Sequence, residues 1–284
     1  MNKPIKSYKA FDENMRCRGF QYEVGKEYDM NGDIQCCKRG FHACESPMEV
    51  WDYYDMLTSR FAEVEQSGKI STGKHPTKIC SSQIKIKAEL KLADIINIGV
   101  EWLKNLTSPY KGDAEGNYAK IGSSGDYAQI GSSGNNVKIG SSGDCVKIGS
   151  SGIEAKIGSS GIEAKIGSSG GYAQIGSSGD YAQIGSSGDY SQIGSSGEMA
   201  QVSSSGFNAK IDSTGENSVI MCSGLGSVAK AKIGSWITLA EWDRDERKGC
   251  LVPVCVKTER VDGIKIKPDT WYKLKDGEFV EVTE

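Results

Sequence analysis

The stretch Ile121–Gly152 reads IGSSGDYAQIGSSGNNVKIGSSGDCVKIGSSG, with isoleucine at every ninth position. A flexible Gly/Ser linker has no reason to keep such a register, so the tract is read as a built object and not a tether. The unit is x-x-A-K/Q-I-G-S-S-G, and its aliphatic position runs through twelve registers from Ile121 to Ile220 without a slip. Nine registers are followed by GSSG, and the last three decay to SSSG, DSTG and MCSG.

Two residues before each aliphatic position stands a small residue, as at Ala128, Val137, Ala155 and Ala173. In "YAQI" this alternation predicts a short strand with Ala and Ile on one side and Tyr and Gln on the other. The Gly-Ser-Ser-Gly that follows is expected at the corner, with glycine supplying positive φ and close approach of stacked turns. Nine residues cannot close around a core. Two units make a flattened 18-residue coil and three a triangular 27-residue one, and the first is preferred. Six coils at about 4.8 Å per rung give a rod roughly 30 Å long. Its open ends are unpaired strand edges that need covers, and the flanking segments are the natural ones.

The expected architecture is mainly β: a parallel β-solenoid over residues 109–235, an N-terminal α+β module over 1–108 and a C-terminal β cap over 236–284. The cap contains Asp276-Gly277 between "WYKL" and "FVEV", which signals a hairpin.

In an 18-residue coil alternate repeats share a face. One face carries Tyr172 and Tyr190 with Lys138 and Lys156, and the other carries Tyr181 with Lys147 and Lys165. These seven are the candidate partner-binding residues, because exposed tyrosine anchors many interfaces. The plainer reading is that such residues form solvent-facing ladders on stacked strands. Calcium β-roll chemistry is disfavoured: the second glycine of its motif is absent, and the position of its acid varies between Asp126, Asn135, Ile153 and Gly171. A DNA mimic needs a dense acidic stripe, and an ice-binding face needs a regular threonine ladder. Neither is present.

Over the whole chain of 284 residues the formal charge is −3, from 34 basic and 37 acidic residues. That balance carries no nucleic-acid footprint. No apolar run is long enough to span a membrane, and "MNKPIKSYKAFDEN" lacks the apolar core of a signal peptide. The nine cysteines are irregularly spaced, and the expectation is a cytoplasmic protein with reduced thiols.

Chemistry-bearing residues are sparse. The two histidines are His42 and His75. Cys17, Cys37, His42 and Cys44 are weak zinc candidates, since four thiolate and imidazole ligands suit zinc but the paired C-x₂-C knuckles are missing. Their alternative is as small buried hydrophobes. No P-loop, dinucleotide fingerprint or serine-hydrolase elbow occurs, so no catalytic or cofactor-binding residue and no cofactor is assigned.

"YKAFDENMRCRGFQYEVGKEY", "CCKRGFHACESPMEVWDYY" and, at the other end, "AKAKIGSWITLAEWD" and "DGIKIKPDTWYKLKDGEFVEV" together resemble an uncharacterised family of phage, prophage and bacterial proteins. The resemblance implies no activity. It implies a phage-related, intracellular setting, in which the expected role is non-catalytic binding of a macromolecular partner. The most concrete version is inhibition of a host defence complex of the anti-CRISPR type, with a homodimer as one assembly. More faintly, "VGKEY…GFHACESPMEVWDYY" is similar to ADP-ribosyltransferase-like folds. That similarity implies Gly40-Phe41-His42 at a strand edge, Pro47–Tyr54 on a helix and a cofactor cleft around His42. A structural or virion component is the third reading.

Overall fold

The computed structural model describes residues 3–72, 78–107 and 116–282, and His75 lies outside them. The chain divides into two compact units, Met1–Trp102 and Leu103–Glu284.

Unit 1 is built on β1 (Ile5–Phe11), β2 (Arg16–Cys17), β3 (Phe20–Gln21), β4 (Glu27–Asp29), β5 (Phe41–Cys44), β6 (Arg60–Thr72) and β7 (Lys78–Leu90). A two-turn 3-10 helix, Pro47–Asp52, follows β5, and α1 (Leu92–Thr107) follows β7. β5 pairs with β1 and β7, β1 pairs with β6, and β6 pairs with β7, all antiparallel, so these four strands close on themselves; β4 adds to β7. Closure leaves few edges to protect. The interior holds Phe11, Tyr22, Phe41, Ala62, Val64, Ile84 and Ile86. β6 and β7 are long enough to bend round this core, and their pairing is interrupted by bulges at Glu63/Val64 and Ser67/Ile70. His42 therefore lies on a strand paired on both sides, with Gly40 directly before its first residue, Phe41.

Unit 2 is the solenoid. Each repeat supplies one four-residue strand, K/Q-I-G-S, and strands eighteen residues apart pair in parallel and in register, as Lys138↔Lys156 and Ile139↔Ile157 show. Odd and even repeats build two sheets. The expected 18-residue coil is thus the one observed. Ile139, Ile157, Ile175 and Ile193 stack in one wall, Ile148, Ile166 and Ile184 in the other, and Ala155, Ala164, Ala173 and Ala182 fill the ends of the core. Each isoleucine removed from water contributes about 1.5–3 kcal/mol, so a single coil is marginal and the stack is stable only as a whole.

Three details differ from the expectation. First, the strand is shifted along the unit. It runs on through the first Gly and Ser, and the tyrosine position leaves it for the corner. That position has positive φ in twelve successive repeats, among them Tyr127 (57°), Tyr172 (59°), Tyr181 (57°) and Tyr190 (56°). Second, the closing glycine of each unit serves close approach and not positive φ: a Cβ on Gly152, Gly170 or Gly188 would overlap the carbonyl oxygen of the glycine eighteen residues earlier. Third, there are seven coils and not six. The last is formed by Val228–Ala231 and the start of Trp236–Asp245, where Ala229 and Ile237 take the core positions without any GSSG to announce them.

Hydrogen bonds hold the corners from coil to coil. The N–H of Tyr172 donates to the carbonyl oxygen of Asp189 (2.7 Å), and Asp189 Oδ1 accepts from the N–H of Phe207 (2.8 Å). Asn117, Asp126, Asn135, Asp144 and Asp180 accept in the same way from the residue eighteen ahead. The inward serines, including Ser141, Ser159, Ser177 and Ser195, are buried with no hydrogen bond from Oγ to another protein group among the described residues.

The C-terminal segment closes the far end. Tyr272 pairs antiparallel with Ala229, and Val261, Ile266, Tyr272 and Leu274 join the solenoid core. The expected hairpin is present, with Tyr272–Lys275 against Glu278–Glu281 and positive φ at Asp276 and Gly277. The Glu241 carboxylate accepts both turn N–H groups, at 2.7 and 2.8 Å. No helix among the described residues is long and apolar enough to cross a membrane.

Candidate functional site

The surface of unit 2 follows from the strand frame. In K-I-G-S the first and third residues point outward, so each sheet shows a row of Lys/Gln beside a row of glycine. On the sheet containing Lys147 and Lys165 both rows are open, and they line a shallow groove of about 890 Å³ with Gln129, Gln183 and Gln201. Val219 and Met221 give the groove an apolar end. The other sheet does not offer the same surface. Lys156 is only 6% exposed and Lys138 is half-buried, contrary to the reading of both as open lysines. The outward glycines of this sheet, Gly140, Gly158, Gly176 and Gly194, are buried as well, so the whole outward row differs from that of the other sheet.

The tyrosines occupy the corners between the sheets, where positive φ throws the side chain out from the coil. Tyr172 and Tyr190 share one edge with parallel rings 5.0 Å apart at 5°, and Phe207 packs edge-on to Tyr190 at 5.7 Å. The three are 55%, 42% and 37% exposed. Tyr181 stands on the opposite edge, next to Met199 and Glu163, so a single contact surface does not join it to the other two. Phe207 was missed in the sequence because it occupies the position before the corner residue, where other repeats have Asp, Asn, Glu, Ile or Gly.

The zinc candidates do not converge. Cys37 is exposed, and its N–H donates to His42 Nε2 at 2.8 Å, which uses the lone pair a metal would need. Cys17 Sγ accepts from Tyr54 Oη at 2.8 Å and from Lys9 Nζ at 3.4 Å. Burial pushes the Cys44 thiol up to about 12, with the nearby Glu49 and Asp52 charges adding to it. Among the described residues no group of three or more His, Cys, Asp or Glu could hold a metal ion. All nine cysteines are free of disulfides.

Cys17, His42 and Cys44, but not Cys37, line a pocket of about 400 Å³ in unit 1, between β1, β2, β5 and the 3-10 helix. Lys9, Arg18, Lys38, Arg39 and Lys78 line it, and among the described residues no carboxylate does. Lys9 is 5% exposed; its Nζ donates to the His42 carbonyl oxygen at 2.9 Å and lies over the Phe11 and Tyr22 rings. Burial holds its ammonium below the usual lysine range. His42 is lowered to about 4, first by burial and then by the Lys78, Lys9 and Arg18 charges. It is therefore neutral at pH 7 and poorly placed as a proton acceptor there. No sequence motif marks this cluster.

Residues 5–98 match the family model described as a domain of unknown function, DUF7666. The match spans the closed β-structure and the pocket but not the solenoid. Neither the search of curated proteins nor the search of solved structures finds a match.

Proposed function

We propose that the protein is a non-catalytic interaction protein that grips a protein partner along the edge of its solenoid. The observation that supports this reading is the exposed ridge Tyr172–Tyr190–Phe207, whose rings are already ordered by contact with one another. Ordering in advance lowers the entropy lost on binding, and large aromatic side chains dominate interface energetics. The coil backbone beneath is fixed by hydrogen bonds at each corner, so the ridge is held on a rigid support. Near-neutral charge favours a protein partner over nucleic acid.

The phage setting implied by the resemblance gives the concrete form: a cytoplasmic protein, made from a phage or prophage gene, that inhibits a host defence complex. This step rests on context and not on site chemistry. An ADP-ribosyltransferase-like activity has less support. A cleft does adjoin His42, but among the described residues no carboxylate lines it to serve as the catalytic glutamate.

The experiment is a nuclease-treated pull-down of the full chain from host lysate, followed by reconstitution with the purified partner. A variant carrying Tyr172→Ser, Tyr190→Ser and Phe207→Ser is run beside it. The expected result is a stoichiometric complex weakened at least tenfold in the variant, with restored phage plating on a host that carries the targeted defence. Retention of the complex by the variant removes the ridge as the working surface. Failure to alter plating on any defended host removes the inhibitor reading.

A further inference from the structure

The pocket of unit 1 has a chemistry that the partner-binding reading does not use. Five cationic side chains line it, and among the described residues none is paired with a carboxylate. Elsewhere in the unit pairing is common: Lys6 with Glu63, Lys26 with Glu23, Arg60 with Glu89, Lys69 with Asp33 and Lys87 with Glu65. The contrast is sharpest at Lys9. A buried ammonium is costly unless an anion neutralises it. Here its hydrogen-bond partners are a thiol and a carbonyl oxygen, so one of its three donors is left over. Arg39 spends its guanidinium on the carbonyls of Asn31 and Asp33, which fixes the charge in place without cancelling it.

The walls carry the second half of the argument. Phe20, Tyr22 and Phe41 form an edge-to-face cluster, and Phe20 remains substantially exposed at the mouth. Tyr53 also lines the pocket, with Lys78 Nζ 4.0 Å from the centre of its ring. A cavity of about 400 Å³ with apolar walls and convergent charges falls within the range of small-molecule sites. Its polarity excludes cations and disfavours neutral apolar ligands.

We propose that this pocket binds a small phosphate monoester bearing one flat ring, of the nucleoside monophosphate class. The phosphate is held by Lys9 at the base and by Arg18 and Lys78 nearer the mouth, and the ring lies against Phe20. Charge-assisted hydrogen bonds to phosphate are the strong kind, and base–aromatic stacking tolerates any of the common bases.

The test is calorimetric titration of the full-length protein with adenosine, guanosine, cytidine and uridine monophosphates, with adenosine alone and with inorganic phosphate. The expected result is saturable binding of at least one monophosphate, at least tenfold tighter than inorganic phosphate or the free nucleoside. Arg18→Gln and Lys78→Gln, both near the mouth, should each weaken it several-fold without loss of fold. Lys9→Met should abolish it, and a matched thermal melt shows whether that variant is folded. An independent readout is His42: an anion seated among Lys9, Arg18 and Lys78 should move its imidazole titration up from about 4. No binding at millimolar ligand, equal affinity for inorganic phosphate, or affinity unchanged in Arg18→Gln and Lys78→Gln would each overturn the assignment.

Discussion

A Cβ added to Gly170 would be driven into the carbonyl oxygen of Gly152, one coil before it, whereas a Cβ on Gly167 would meet nothing within 4 Å. The two glycines belong to the same repeat, three residues apart. One is required by the distance between stacked backbones; the other faces solvent on the open sheet.

Gly170→Ala should therefore force two coils apart and cost at least about 2–3 kcal/mol, as overpacking against rigid backbone does. Gly167→Ala should stay within about 0.5 kcal/mol of the parent, the usual range for an open surface position. Paired denaturant melts of the two variants check this. Equal stabilities would mean that the coils are not stacked at backbone contact.

Tyr127 holds φ at 57° while its side chain is 74% exposed, so it carries left-handed strain with little burial in return. Asparagine tolerates this region far better than a bulky residue. Tyr127→Asn should raise stability by about 0.5–1 kcal/mol. A loss of stability in the melt would show that the ring contributes contacts that outweigh its backbone cost.

The imidazole of His42 titrates near 4 in the folded protein, below its ordinary 6.5, first because it is buried and then because cations surround it. Between those two values the unfolded chain binds the additional proton. Stability then rises with pH across that window and is fully gained above 6.5. The contribution is screened by the partial exposure of the ring. His42→Gln should flatten the pH dependence of the midpoint between about pH 4 and 6.5, as linkage requires. An unchanged slope would mean that the ring is charged in the folded state.

The interior of the solenoid was legible because its code is local and repeated. The ninefold register of Ile121 through Ile220, with a small residue two places before, contains the inward face and narrows the coil to 18 or 27 residues. The frame of the strand was not legible. Whether Tyr172 continues a strand or turns a corner is decided by its N–H bonding to Asp189, seventeen residues ahead, and no local propensity favours positive φ in a tyrosine. The seventh coil was hidden for a related reason: Ala229 and Ile237 keep the packing while the corner letters change. A cleft at His42 was suggested only by the fainter resemblance, and its cationic lining was not legible. Lys9, Arg18, His42 and Lys78 lie on β1, the β2–β3 turn, β5 and β7, and only closure of the barrel assembles them. Cys17, His42 and Cys44 lie in the lining of that pocket, and Cys37 does not.

Because Lys138 pairs with Lys156 and not with Lys147, the natural unit of growth is twice the unit of sequence. Insertion of one nonapeptide between Tyr172 and Tyr190 would move every later residue to the opposite sheet, split the two tyrosines and present the wrong strand to Tyr272. Insertion of two would only lengthen the stack, by about 4.8 Å. Gene copies that expand or contract this tract by unequal exchange are thus filtered by parity: even changes adjust reach, and odd changes scramble the surface and misplace the cap.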